Sequence, residues 1–263
     1  MMRTFVAATL AASLAGCTAS GQKVTTTEIH NRQRVDVDVQ VHRVKAARAP
    51  TVILLHGCGG PVYPHFQAWI DALNAWGYNA VVLDSLRARR VSQVCDHPST
   101  VVSKEQRSVD AYDAASWVMR QEWATDKVAL IGFSHGAAAV LYAVASKDVE
   151  RNFGKQVISA AVAYYPDCEN RFNWDRPVIP VQFHTAGNDS WNPEGPCASL
   201  ARNWNVLDQY FRYENATHGF DLVGFNRQSI PDNSGRRHWL IYDAAATDLS
   251  RQRTKAFLDM HLR

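Results

Sequence analysis

Hydrophobic residues recur along this chain in two rhythms, every second position and every third to fourth, and the change from one to the other predicts its elements. Val35, Val37, Val39 and Val41 alternate with polar partners, the pattern of a half-buried strand at the start of a sheet, antiparallel to its neighbour. Residues 51–55, 80–83 and 128–131 are mostly apolar runs, as strands covered on both faces are. Residues 157–163, 178–183 and 206–213 predict three more strands. Phe66, Trp69, Ile70 and Leu73 mark a helix over 65–76 that Gly77 stops, and Val109, Tyr112, Ala115 and Met119 mark a longer one over 103–123. An alanine-rich helix is predicted over 135–145, and an amphipathic one over 244–262 carries Leu249, Phe257 and Leu258. Strands alternating with helices predict an α/β fold, a mostly parallel, doubly wound sheet with helices on both faces.

Length and charge narrow this picture. With 263 residues and 46% apolar composition, the chain suits one large α/β domain. A net charge of +3 with no basic run gives no footprint for nucleic acid. Beyond residue 20 nothing approaches the roughly 18 consecutive apolar residues of a membrane-spanning helix.

The N-terminus differs in kind. Arg3, a short apolar core over 4–14 and Leu14-Ala15-Gly16-Cys17 read as a secretory signal over residues 1–16, whose end resembles the lipobox of bacterial lipoproteins. Cys17 then becomes the mature N-terminus and carries lipid, with 17–27 a flexible tether of small polar residues. Thr18, not Asp, follows it, which by resemblance points to the outer membrane of a bacterial cell envelope, facing the periplasm. Cys58, Cys95, Cys168 and Cys197 remain, an even number for an oxidising compartment. Cys58 and Cys95 follow early strands and Cys168 and Cys197 later ones, so Cys58–Cys95 and Cys168–Cys197 are the economical pairings at one sheet edge.

Chemistry concentrates in Gly132-Phe133-Ser134-His135-Gly136, between the strand at 128–131 and the alanine-rich helix. A strand, a Gly-x-Ser-x-Gly turn and a helix form a nucleophile elbow, in which Ser134 is pushed out of the fold beside a helix N-terminus. In hydrolases built on such an elbow an acid and a histidine follow the serine, each after a later strand. Asp189 and His218 stand at those places, with Asp167 and Asp175 one strand too early. His56-Gly57-Cys58-Gly59-Gly60 is a glycine-rich turn after a buried strand, suited to an oxyanion donor. The backbone amides of Cys58 and His135 are the expected pair, with Gly59 the near rival to Cys58, and His56 reads as structural. Tyr63, Phe133, Trp191 and Phe220 flank these motifs and are candidates for a substrate pocket or for plain core. The polar stretches 87–100 and 226–237 are candidate covers. The 10 histidines show no metal-ligand spacing, so neither metal nor cofactor is expected.

His56-Gly57-Cys58-Gly59-Gly60, the elbow, Gly187-Asn188-Asp189-Ser190-Trp191 and His218-Gly219-Phe220-Asp221 together resemble the dienelactone hydrolase family of the α/β-hydrolase superfamily. The resemblance implies an α/β-hydrolase domain over 28–263 and hydrolysis of a small-molecule ester or lactone. The family's eponymous enzymes carry a cysteine nucleophile, where this chain has Ser134, so a serine carboxylic-ester hydrolase is the reading carried over. A peptidase or acyltransferase with the same triad, and a non-catalytic surface-binding lipoprotein, are the alternatives.

Overall fold

The computed structural model describes residues 19–95, 102–145, 157–168, 175–177, 179–232 and 234–263. The signal segment and Cys17 lie outside the described residues. The strands are β1 (Ser20–Thr27), β2 (Arg34–His42), β3 (Ala49–Leu55), β4 (Asn79–Asp84), β5 (Ala124–Phe133), β6 (Ala160–Tyr164), β7 (Val181–Ala186), β8 (Tyr210–Tyr213), β9 (Gln228–Pro231) and β10 (Arg237–Leu240). The helices are α1 (His65–Ala75), α2 (Lys104–Val118), α3 (His135–Ala145), α4 (Gly195–Trp204) and α5 (Ala244–Leu262).

Strands β1 to β8 form one eight-stranded sheet in the order β1-β2-β4-β3-β5-β6-β7-β8. The pairs β1–β2 and β2–β4 are antiparallel, and every pair from β4 to β8 is parallel. In the inner strand β3, Val52 and Leu54 pack towards α1 and α5, while Ile53 and Leu55 pack towards α2, α3 and α4. Both faces are covered, which is why this strand reads as a continuous apolar run. Only at the antiparallel edge does alternation survive. Val37, Val39 and Val41 are buried there and their neighbours largely face water.

The first departure from expectation is the predicted tether. Residues 20–27 form β1, paired with β2 from Ser20↔Val41 to Thr27↔Arg34. Val24 and Thr26 are buried on its inner face, and Thr26 Oγ1 donates to Asp110 Oδ1 of α2 at 3.0 Å. Small polar composition suggested a linker, but backbone pairing and two buried side chains make it an edge strand.

Smaller differences have local causes. Strand β7 begins at Val181, after Pro180, which has no N–H for the ladder; residue 178, the expected start, lies outside the described residues. Of the predicted strand 206–213, Leu207–Gln209 is a 3-10 turn and only Tyr210–Tyr213 pairs with β7. The long helix ends at Val118 in tight turns at Arg120 and Gln121. In α5 the buried stripe runs through Ala246, Ser250, Thr254, Phe257 and Leu258, so Leu249 faces solvent. Helix α4 and the β9–β10 hairpin had no counterpart in the sequence pattern. Both disulfides form as expected, Cys58–Cys95 and Cys168–Cys197.

Candidate active site

Strand β5 ends at Phe133, α3 begins at His135, and Ser134 stands alone between them at φ +53°. A serine in the left-handed region is strained, and its neighbours hold it there. Its N–H donates to Tyr164 O of β6 at 2.9 Å, and its carbonyl accepts from Ala138 N–H at 3.0 Å. The flanking glycines are sterically required. A Cβ on Gly132 would lie 2.3 Å from Gly136 O, and one on Gly136 would lie 2.3 Å from Leu55 O.

The loop after β7 brings Asp189 to this point and the loop after β8 brings His218. His218 Nε2 lies 2.9 Å from Ser134 Oγ, and His218 Nδ1 lies 2.7 Å from Asp189 Oδ2. The other carboxylate oxygen, Asp189 Oδ1, accepts from the N–H groups of Trp191 and Asn192 at 2.9 and 2.8 Å. Asp189 and His218 are both buried. The Tyr165 ring stands edge-on to the imidazole, 4.8 Å between centroids, and Trp191 lies on another side at 5.7 Å. The competing carboxylates are elsewhere: Asp167 is paired with Lys104, and Asp175 N–H donates to Ala145 O.

A second buried carboxylate, Asp221, supports the histidine loop. Its Oδ1 accepts from Tyr165 Oη at 2.7 Å, and its Oδ2 from Trp69 Nε1 and His65 Nε2, each at 2.8 Å. Burial pushes its pKa up, but the His65 charge and these three donors outweigh burial and hold it at about 2. The β9–β10 hairpin is clipped onto the Asp189 loop. His238 Nδ1 is 3.0 Å from Ser190 Oγ, His238 Nε2 is 3.0 Å from Asp232 Oδ2, and Trp191 stacks on the His238 ring.

Ser134 and His218 open onto a cavity of about 350 Å³. Its apolar wall includes Phe66, Phe133, Tyr165, Trp191, Leu222 and Phe225, and no Lys, Arg, Asp or Glu lines it among the described residues. Cys58 shares this wall with Ser134, and His135 is the first residue of α3, where an N–H has no partner within the helix. The two residues expected to supply oxyanion amides are thus both neighbours of the serine, Cys58 in the cavity wall and His135 next in the chain. Phe133 and Trp191 line the cavity as expected; Tyr63 and Phe220 do not. Tyr63 is 46% exposed and its hydroxyl donates to Gln40 Oε1, while Phe220 is fully buried among Tyr164, Tyr165 and Tyr213. The candidate covers are walls of the same cavity, Gln93 and Cys95 from one and Ile230 from the other, although 96–101 lie outside the described residues.

Sequence reasoning missed Tyr165 and Arg107. Tyr165 follows the end of β6, the same sheet edge that carries Ser134 and Asp189, and that position is the signal that could have found it. Arg107, in the first turns of α2, is fully buried and touches both His56 and His135. Nothing in a helical pattern marks an arginine as interior. Among the described residues no group of His, Cys, Asp and Glu is arranged to hold a metal ion.

The dienelactone hydrolase family model matches residues 37–262. No curated protein sequence matches the chain. Among solved structures it is similar to a putative dienelactone hydrolase from Klebsiella pneumoniae subsp. pneumoniae, at 17% identity and TM-score 0.64 over 93% of this chain and 100% of that one. A dienelactone hydrolase-like promiscuous phosphotriesterase from metagenomic libraries gives 19% identity and TM-score 0.67 over 93% and 99%. An esterase from Pyrococcus furiosus gives 14% identity and TM-score 0.64 over 93% and 94%. Identities this low establish a shared fold.

Proposed function

The chain belongs to the dienelactone hydrolase family, and from that premise we propose that it is a serine hydrolase cleaving carboxylic esters or lactones through an acyl-enzyme on Ser134. The observation that carries the reading is the unbroken hydrogen-bonded line from Ser134 Oγ through the His218 imidazole to Asp189. Ser134 Oγ attacks the carbonyl while His218 Nε2 takes its proton and later delivers it to the leaving oxygen. Asp189 accepts from Nδ1–H, which keeps the other nitrogen free as the base and stabilises the imidazolium. The Cys58 and His135 amides receive the oxyanion, each worth about 3 kcal/mol in the barrier. Water, activated by the same imidazole, then releases the acid.

The cavity supports a substrate class. Burying a charged group in an apolar wall without a partner is costly, so the substrates favoured here are esters neutral in both acyl and leaving portions. Fluorophosphonate labelling tests the reading: the adduct is expected on Ser134 and is lost in His218→Ala. Folded protein that takes no label overturns it in favour of a binding role. A panel of neutral and anionic p-nitrophenyl esters, lactones and amides then checks substrate class, with neutral esters expected to be turned over fastest.

For location, we propose that Cys17 is acylated and tethers the enzyme to the bacterial envelope, at the outer membrane facing the periplasm. Only Thr18 and Ala19 separate it from β1, so an anchor there would sit within about 10 Å of chain from the edge strand. Mass spectrometry of the mature N-terminus tests this; an unmodified Cys17, or a start elsewhere, refutes it.

A further inference from the structure

We propose that Arg107 is a positioning residue that clamps and polarises the two backbone amides meant for the oxyanion, acting through His56 and His135; this rests on the triad reading above. The guanidinium is fully buried, and its two arms reach different segments, the first residue of α3 and the turn after β3. Nη1 donates to His135 Nδ1 at 2.8 Å, and Nη2 donates to the His56 carbonyl oxygen at 2.5 Å. His135 contributes one amide directly. His56 lies two residues before the other, directly after β3 in the turn that leads to Gly57-Cys58.

The second connection runs through a single peptide plane. Gly57 C=O and Cys58 N–H belong to the same rigid unit, on opposite sides of it. His56 Nδ1 lies 2.6 Å from Gly57 O, and a carbonyl only accepts, so Nδ1 carries the proton and donates there, which makes the 3.3 Å approach of Arg107 Nη2 to the same nitrogen a contact between two donors and no hydrogen bond. Holding Gly57 O back against the imidazole turns Cys58 N–H the opposite way, and a hydrogen bond to that oxygen strengthens the N–H of the same amide as a donor. Both imidazoles are neutral in this arrangement. Burial, then the Arg107 charge, holds His56 well below its usual pKa and His135 down at about 2.

A structural arginine in a core is expected to sit against a carboxylate. Among the described residues none lies within ion-pair distance of Arg107: Asp110 is taken by Arg89, and Asp84 accepts the N–H groups of Leu86 and Arg87. Its Nε has no partner among the described residues, and burial lowers its pKa to about 10, which still leaves it charged at neutral pH. Arg107 thus brings a full positive charge into contact with both His56 and His135, the residues through which the two amides are held.

The test is steady-state kinetics of Arg107→Met and His56→Ala on a neutral p-nitrophenyl ester, with affinity for a boronic acid that forms a tetrahedral adduct on the serine. Each variant is expected to lose about 10- to 100-fold in kcat with KM within about two-fold, and boronate affinity is expected to fall by the same factor as kcat/KM. The double variant should lose no more than the worse single one, since the residues act as a unit. Fluorophosphonate should still mark Ser134, only more slowly. Unchanged kcat in folded Arg107→Met, a change confined to KM, or additive losses in the double variant overturns the clamp. If Arg107→Met does not fold, His56→Ala with unchanged kcat overturns it alone. Wild-type protein that neither hydrolyses esters nor labels at Ser134 overturns the triad reading itself, a result separable from any variant-specific loss.

Discussion

Asp189→Asn removes a charge and changes almost nothing in shape, so its effect isolates what the carboxylate does for His218. Asp189 Oδ1 sits under two donors, the N–H groups of Trp191 and Asn192 at 2.9 and 2.8 Å. An asparagine must put its carbonyl oxygen there, because an NH2 group facing two N–H donors forfeits two hydrogen bonds of about 1 kcal/mol each and adds repulsion. The NH2 group is then left facing His218 Nδ1, across the 2.7 Å that Oδ2 spans now. Nδ1 must accept, the ring proton moves to Nε2, and Nε2–H meets Ser134 Oγ as a donor that cannot take its proton. A locked wrong tautomer lowers kcat by about 10⁴-fold in Ser-His-Asp hydrolases, about 5.4 kcal/mol at 1.36 kcal/mol per tenfold. Measured kcat for a neutral p-nitrophenyl ester should fall by that order with KM nearly unchanged and urea stability within about 2 kcal/mol of wild type. An Asp189→Asn enzyme within tenfold of wild type, while Ser134→Ala is dead, would mean that this carboxylate does not set the tautomer.

Gly136→Ala puts a Cβ 2.3 Å from Leu55 O and 2.4 Å from His56 O, both backbone, and should destabilise at or beyond the upper end of the ~1–3 kcal/mol seen for overpacking; Gly195→Ala meets nothing and should stay within about 0.5 kcal/mol in the same urea titration. Reducing the disulfides, which span 37 and 29 residues, should lower stability by about 4 kcal/mol each in the chain-entropy model, and a midpoint indifferent to dithiothreitol contradicts it. Asp221 is held at about 2 against an unfolded value near 3.9, so its contribution is complete above about pH 5 and is lost as pH falls through the unfolded value towards 2, on the order of 2 to 3 kcal/mol in all. Unfolding free energies measured from pH 5 to 2 should show that slope, and Asp221→Asn should flatten it; parallel curves for the two proteins refute the assignment.

How far each part could be read from the sequence depended on how local its cause is. The elbow was legible because two glycines, a serine and the flanking apolar runs are contiguous, and the steric demand that selects them acts within five residues. Asp189 and His218 were legible because a parallel sheet delivers the ends of successive strands to one edge, so chain order stands in for position. The disulfides followed the same logic. The edge strand β1 was not legible: its residues are polar and small, and only β2 beside it and α2 beneath it make Val24 and Thr26 interior. Of the pocket aromatics, Phe133 and Trp191 were legible beside their motifs, but Tyr63 and Phe220 were not: Phe220 lies two residues from His218 yet turns into the core, while Tyr165 joins the wall from the end of β6.

By itself, then, the order of residues determined the alternation of elements, the turn that exposes Ser134 and the succession of Ser134, Asp189 and His218 along one sheet edge, because those rest on steric rules and connectivity that act along the chain. Tertiary structure alone decided the depth of the edge, the absence of Lys, Arg, Asp and Glu from the described cavity wall and the burial of Arg107 and Asp221. A side chain's desolvation and its partners depend on what packs against it from remote segments, and no window of sequence contains both sides of that contact.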